Sequence, residues 1–299
     1  MSLAVDNLSV SLGGRAVVRD VSFACAPGEL VALVGPNGAG KTSLLRALAG
    51  LVPSEGTLEI GVPSPPPSGR SPSPTSQGRS DDSARILPRE TGEGDHAQHG
   101  GGGAHRAQDL RALPPEVRAR AVAYLPQGHE AHWPLPARDI VALGRLPHGA
   151  RDPTRLSPTD AAAVGEAMRL ADVVSLADRP VTRLSGGERA RVAMARVLAV
   201  GAPLILADEP TAALDPRHQL DVMRVLRGAA QAGATVIAVT HDLGLAARFA
   251  DRALVMSEGA LVVAAAPDVA LAPDVLRRVF GIEVYRASVG GETILVPWT

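Results

Sequence analysis

Lys41 and Thr42 close a glycine-rich run, Gly35-Pro36-Asn37-Gly38-Ala39-Gly40-Lys41-Thr42, that fits the pattern G-x-x-x-x-G-K-[ST]. The run stands between an apolar stretch, Leu30 to Val34, and a helical pattern from Ser43 to Ala49. That order of strand, loop and helix gives the pattern physical meaning. Glycines let the backbone curl until its N–H groups converge on phosphate oxygens, and a helix N-terminus adds a field that favours negative charge. Lys41 supplies a point charge for the terminal phosphates, and Thr42 a hydroxyl for Mg²⁺. Gly35, Pro36, Asn37, Gly38, Ala39, Gly40, Lys41, Thr42 and Ser43 are therefore the candidate nucleotide-binding residues. Taken alone, the run says nucleotide and no more, because hydrolases and kinases of many functions share it.

Two acids narrow the chemistry. Leu204-Ile205-Leu206-Ala207-Asp208-Glu209 predicts a buried parallel strand whose carboxylates emerge at the carboxyl edge of the sheet, beside the glycine loop. There Asp208 would hold Mg²⁺, largely through water. Glu209 would orient and deprotonate the water that attacks the γ-phosphate, a role that demands a geometry spacing does not supply. Further on, Leu184-Ser185-Gly186-Gly187-Glu188 precedes a helical pattern, Arg189 to Val200, with Val192, Ala195 and Ala199 on one face. Ser185 and Glu188 have the spacing of a capping box, so this is a second glycine-opened helix N-terminus suited to an anion. By itself it reads better as an ordinary capped helix.

With these motifs in this order, the chain resembles the nucleotide-binding subunit of an ATP-binding cassette (ABC) transporter. The resemblance implies that Ser185, Gly186 and Gly187 bind the γ-phosphate of a nucleotide held by another subunit, so that two copies of the chain enclose two ATP molecules with Mg²⁺. Gln127, in Tyr124-Leu125-Pro126-Gln127 after the strand-like Ala121 to Leu125, resembles the family's glutamine that senses Mg²⁺ and the attacking water and links the site to the membrane partner. His241, after the apolar strand Thr235 to Val239, resembles the switch histidine that contacts the γ-phosphate. Asp215, in Ala213-Leu214-Asp215, matches the loop that crosses the dimer interface. Glu209, His241 and Gln127 are thus the catalytic candidates, and Thr42, Gln127 and Asp208 the metal candidates. The implied partners are a second copy, a transmembrane permease and, indirectly, a substrate-binding protein. The implied location is the cytoplasmic face of the cell membrane. One departure concerns the base: the family stacks adenine on an aromatic residue before a Gly-Gly-Arg turn, and Leu12 precedes Gly13-Gly14-Arg15 here.

The elements that must position these residues follow from the alternation of strand and helix patterns over 299 residues, which predicts an α/β fold with a mainly parallel sheet. The resemblance makes it a P-loop NTPase: a RecA-like parallel-sheet core, an N-terminal antiparallel β subdomain within residues 1–61, and a helical subdomain. The ATPase domain is expected over 1–272, with the helical subdomain at 128–183 and a helix starting at Pro158. A tail, 273–299, reads as a short helix and a hairpin turned at Gly290-Gly291. Residues 62–108 are rich in Pro, Ser and Gly and poor in branched apolar residues, too little to offset ordering entropy, and are expected to be a disordered insertion. With that stretch removed, the spacing of Lys41 and Gln127 is about what the family shows. Asp95, His96, His99 and His105 lie in it; accidental histidines explain them better than a metal site.

Thirty Lys and Arg against 31 Asp and Glu give a net charge of −1, so there is no electrostatic case for nucleic acid. The one cysteine, Cys25, excludes an internal disulfide, fits a reducing cytoplasm and reads as a buried apolar residue. No apolar run approaches the ~20 residues that span a bilayer, and the N-terminus has no basic stretch of a secretion signal. The segment Val141 to His148, the run His241 to Asp251 and Val279-Phe280-Gly281-Ile282 resemble the importers of iron–siderophore complexes, haem and cobalamin. An ATPase subunit of another ABC transporter, including an exporter, is the alternative.

Overall fold

A computed structural model describes residues 2–62, 106–128, 134–212, 214–290 and 292–298. β1 (Ser2–Leu12) and β2 (Arg15–Cys25) form an antiparallel hairpin. Leu3 and Val5, then Leu8 and Val10, are buried along β1. The inward face changes parity because the register shifts between Val5 and Leu8, where Asn7 has φ 50. Such a bulge keeps one face apolar across an irregular ladder. Cys25 closes β2 in the core, and burial pushes its thiol up to about 12, which makes it inert rather than nucleophilic.

β3 (Leu30–Val34) is buried along its whole length and leads through the glycine loop into α1 (Lys41–Leu48). β4 (Glu55–Val62) and β5 (Arg106–Asp109) extend the antiparallel sheet to the order β2-β1-β4-β5. The expected insertion therefore begins and ends in strand, at Val62 and at 106–108; the remainder, with Asp95, His96, His99 and His105, lies outside the described residues. α2 (Pro115–Ala121) precedes β6 (Val122–Leu125), so Ala121 is the last helical residue rather than the first of the strand.

α3 (Ala137–Ala142), a 3₁₀ segment at Leu143–His148 and α4 (Pro158–Leu170) follow. Ser157 caps α4 by accepting from Asp160 N, and Pro158 is its first residue, as the sequence predicts. α5 (Gly186–Val200) starts at the expected capping box. β7 (Leu204–Asp208), α6 (Pro216–Gln231), β8 (Thr235–Val239) and α7 (Leu243–Phe249) alternate, and the chain ends with β9 (Arg252–Ser257), β10 (Ala260–Ala265), α8 (Pro267–Ala270), α9 (Pro273–Phe280) and the hairpin β11 (Glu283–Val289) and β12 (Glu292–Trp298). Gly290 has φ 61 at the hairpin turn; Gly291 lies outside the described residues.

The main sheet has the order β10-β9-β3-β8-β7-β6, parallel except at β10. β3, β7 and β8 are buried at every position because helices cover both faces. One apolar cluster joins this sheet to α1 and the antiparallel sheet, and another joins its opposite face to α5 and α6. A third is helical and holds α3, α4 and part of α5. α5 serves two of them: Val192, Ala195 and Ala199 face the helical cluster, while Ala193, Met194 and Val197 face the sheet.

Candidate functional site

The glycine loop is fixed from two sides. Gly259 N, in the β9–β10 turn, donates to Ala39 O at 3.1 Å, and Arg19 N donates to Gly259 O at 2.8 Å. Gly40 caps α1 with φ 93, and a Cβ there would run into Val17 O. The position demands glycine for both conformation and space. No side chain caps α1, which leaves its first N–H groups directed at the loop. Lys41, buried at 6 % exposure, donates from Nζ to Gly35 O at 2.7 Å and Pro36 O at 2.9 Å. Burial pulls its ammonium below the ordinary value, against Glu209 and Asp208, which push it up.

Asp208 is wholly buried at the end of β7. It accepts from Thr42 Oγ1 at 3.1 Å and from the Tyr124 hydroxyl at 3.2 Å. Desolvation raises its carboxyl above the usual range, and these two hydrogen bonds oppose the rise. Tyr124 is a site residue that sequence reasoning passed over, although it stands three residues before Gln127 on β6. Its signal was a lone polar tip in an otherwise apolar strand.

The strand stops at Asp208 because Glu209 turns into the left-handed region with φ 49. That conformation costs a residue with a side chain of order 1–3 kcal/mol, and here it sends the carboxylate across the mouth of the loop. Gln127 Nε2 donates to Glu209 Oε2 at 2.7 Å, and His241 Nε2 stands 2.8 Å from Oε1. A carboxylate only accepts, so His241 carries its proton on Nε2.

A cavity of about 290 Å³ is lined by Asn37 to Ser43, Val17, Glu209 and His241. A cleft of about 560 Å³ adjoins it, sharing Val17 and Gly38 and adding Arg15, Arg19, Glu258 and Gly259. Leu12, exposed on β1, does not line it.

Ser185, Gly186 and Gly187 are not in this cavity. They open α5, where Ser185 Oγ accepts from Glu188 N at 3.3 Å and Ser185 N donates to Glu188 Oε2 at 2.7 Å. Arg179 Nη1 donates to the other carboxylate oxygen at 3.0 Å. Asp215, exposed, caps α6 by accepting from His218 N at 3.0 Å; Ala213 lies outside the described residues. The structure thus assembles Lys41, Thr42, Asp208, Glu209, Gln127 and His241 around the loop, and leaves the second glycine-opened helix end elsewhere on the same chain. Among the described residues, no group of three or more His, Cys, Asp or Glu side chains could hold a metal ion unaided.

A glycine loop on a helix N-terminus at the carboxyl edge of a parallel sheet, with a buried Asp and a Glu held by Gln127 and His241 at its mouth, defines a P-loop nucleotide hydrolase. A sequence model of the ABC transporter family matches residues 18–212. The hemin import ATP-binding protein HmuV of Rhodococcus jostii is 40% identical, over 99% of this chain and 86% of its own length. The cobalamin import ATP-binding protein BtuD of Halobacterium salinarum is 37% identical, over 95% of this chain and 60% of its own. Among solved structures, an inward-facing ABC transporter described as of metal-chelate type shares the fold, with a TM-score of 0.73 at 22% identity over 100% of this chain and 98% of that one. The chain belongs to the ABC transporter family. It is an ATP-binding subunit, an ATPase whose hydrolysis of ATP is coupled to transport.

Proposed function

We propose that the chain energises import of a metal chelate, haem or cobalamin first among the candidates, as one of two identical ATPase subunits beneath a membrane permease. The ligand class rests on relatives named for hemin and cobalamin import. The observation that carries the two-copy reading is the separation of the site's halves: Ser185, Gly186 and Gly187 stand outside the cavity that holds Lys41 and Glu209. A second copy facing the first would bring them to its γ-phosphate. Among the described residues no helix is long and apolar enough to cross a membrane, so membrane attachment would come through the permease.

In this reading the phosphates lie against Gly35 to Ser43, and Lys41 exchanges its loop carbonyls for phosphate oxygens. The base extends into the adjoining cleft, where Arg15 has a planar cation able to stack on it in place of the family's aromatic ring. The oxygen donors of Thr42 and Asp208, 3.1 Å apart, fit Mg²⁺, which takes one or two protein ligands and completes its shell with phosphate and water. Gln127 would offer its amide oxygen as a further ligand. When bound, the cation neutralises charge that develops on the phosphates. Glu209 takes a proton from the attacking water, held at the correct angle by Gln127 and His241. Residues 1–272 act as the ATPase domain, 128–183 as the helical subdomain that docks on the permease, and 273–299 as a tail; Asp215 reaches across to the other copy.

The test is reconstitution with a permease of the metal-chelate importer class. Turnover should rise when a haem- or cobalamin-loaded binding protein is added outside. Stimulation only by a compound presented on the ATPase side would instead indicate export. In the isolated chain, Glu209→Gln should bind ATP and accumulate as a closed dimer; turnover near that of the unaltered chain would remove Glu209 from the role of base.

A further inference from the structure

Asp215 does more than cap a helix. Its Oδ1 accepts from His218 N at 3.0 Å, and its Oδ2 stands 2.8 Å from His218 Nδ1. Because the carboxylate only accepts, Nδ1 carries the ring proton. The same ring edge lies against α5: a methyl group built on Gly187 would sit 3.3 Å from His218 Nδ1 and 3.4 Å from Cγ. The lack of a side chain at Gly187 lets the imidazole approach the backbone this closely, and a Cβ there would crowd the ring by a few tenths of an ångström. His218 is partly exposed, with about a third of its side chain open to solvent, so it contributes little to the core.

We propose that His218 is a positioning residue that locks the Asp215 loop to the Gly187 turn within each chain, so that the two segments facing a second copy move as one. The proposal rests on the two-copy reading above. Without the lock, the loop and the glycine turn would each be ordered separately on dimer closure, and the ordering entropy would weaken association. The chain's own nucleotide cavity, which His218 does not line, would be unaffected.

The experiment uses the full chain in the Glu209→Gln background with ATP and Mg²⁺. Two quantities are read: self-association by sedimentation equilibrium, and affinity of the dilute monomer for a fluorescent ATP analogue. His218→Ala should weaken ATP-driven association about tenfold, the scale of ordering a freed side chain and its loop on closure. Monomer affinity for the analogue should stay within about twofold, which also reports that the variant is folded. His218→Asn, whose amide can donate from the place of Nδ1, should restore association. Unchanged association in His218→Ala, a parallel loss of monomer affinity, or no rescue by Asn would each overturn the lock. If the Glu209→Gln chain itself stays monomeric with ATP, the two-copy reading fails and the lock falls with it.

Discussion

Two acids, adjacent in sequence, live in opposite surroundings. Asp208 is desolvated and its carboxyl is held above the ordinary range by burial. A raised folded value means that ionisation is harder in the folded chain than in the unfolded one. Stability therefore falls as pH rises through that range and stays reduced above it. Asp208→Asn removes this loss, and the two hydroxyls at Thr42 and Tyr124 can each donate or accept, so both bonds can persist. Without Mg²⁺ at neutral pH the variant should melt higher than the unaltered chain, and the difference should vanish below about pH 4; melting curves across pH check it, while hydrolysis should be lost. Glu209 carries backbone strain instead. Glu209→Gly and Glu209→Gln both lack the carboxylate and should both be inactive, but the glycine variant should be more stable by about 1 kcal/mol in urea unfolding. Equal midpoints would mean that the left-handed turn stores nothing. Arg15→Ala should raise the dissociation constant for ATP several-fold, as the loss of a stacked cation worth about 1 kcal/mol requires, with melting unchanged.

α5 is the element on which the site's second half depends, and both of its ends are held. At the C-terminus, Gly144 lets the 3₁₀ segment approach so closely that a Cβ would strike Arg196 O. Arg145 then reaches the last turn, with Nη1 donating to Ala199 O at 2.8 Å and Nε to Asp160 Oδ1 at 2.8 Å. His148 Nε2 stands 2.8 Å from Val200 O. The Arg145 cation and the His148 ring at these carbonyls hold the helix end, and the cation complements the helix dipole, which gives a physical reason for the segment Gly144-Arg145-Leu146-Pro147-His148 that resembles one class of importer. Arg145→Ala leaves Asp160 with Ser157 as its remaining side-chain partner and should lower stability in denaturant unfolding. Asp160→Asn in the same chain should recover part of that loss; a further loss instead would show that the carboxylate is not the stranded group.

The molecule as a whole presents a cavity around the glycine loop and, outside it, the capped, glycine-opened N-terminus of α5. Ser185→Arg should therefore separate two measurements. ATP affinity of the isolated chain should be unchanged, because Ser185 does not line the cavity. Turnover in the assembled transporter should fall by about a hundredfold or more, the scale of losing a phosphate-stabilising contact in a transition state. A fall in both would return Ser185 to the chain's own cavity.

Local chain chemistry made much of this readable in advance. β3, β7 and β8 are continuous apolar runs because helices cover both faces, and α4 and α5 begin at side-chain caps whose spacing is visible in the sequence. β9, buried at its four central positions, is not legible as a strand because a short apolar stretch carries no period of its own. β5 was masked by the composition around it. The positions of the functional groups needed the folded chain. Glu209 meets His241 from 32 residues away and Gln127 from 82, and neither pairing exists until parallel crossovers bring three strand ends to one edge. The left-handed turn at Glu209 and the placing of Ser185 outside the cavity likewise arise from packing, since propensity and motif describe a residue's neighbours along the chain and not those across it.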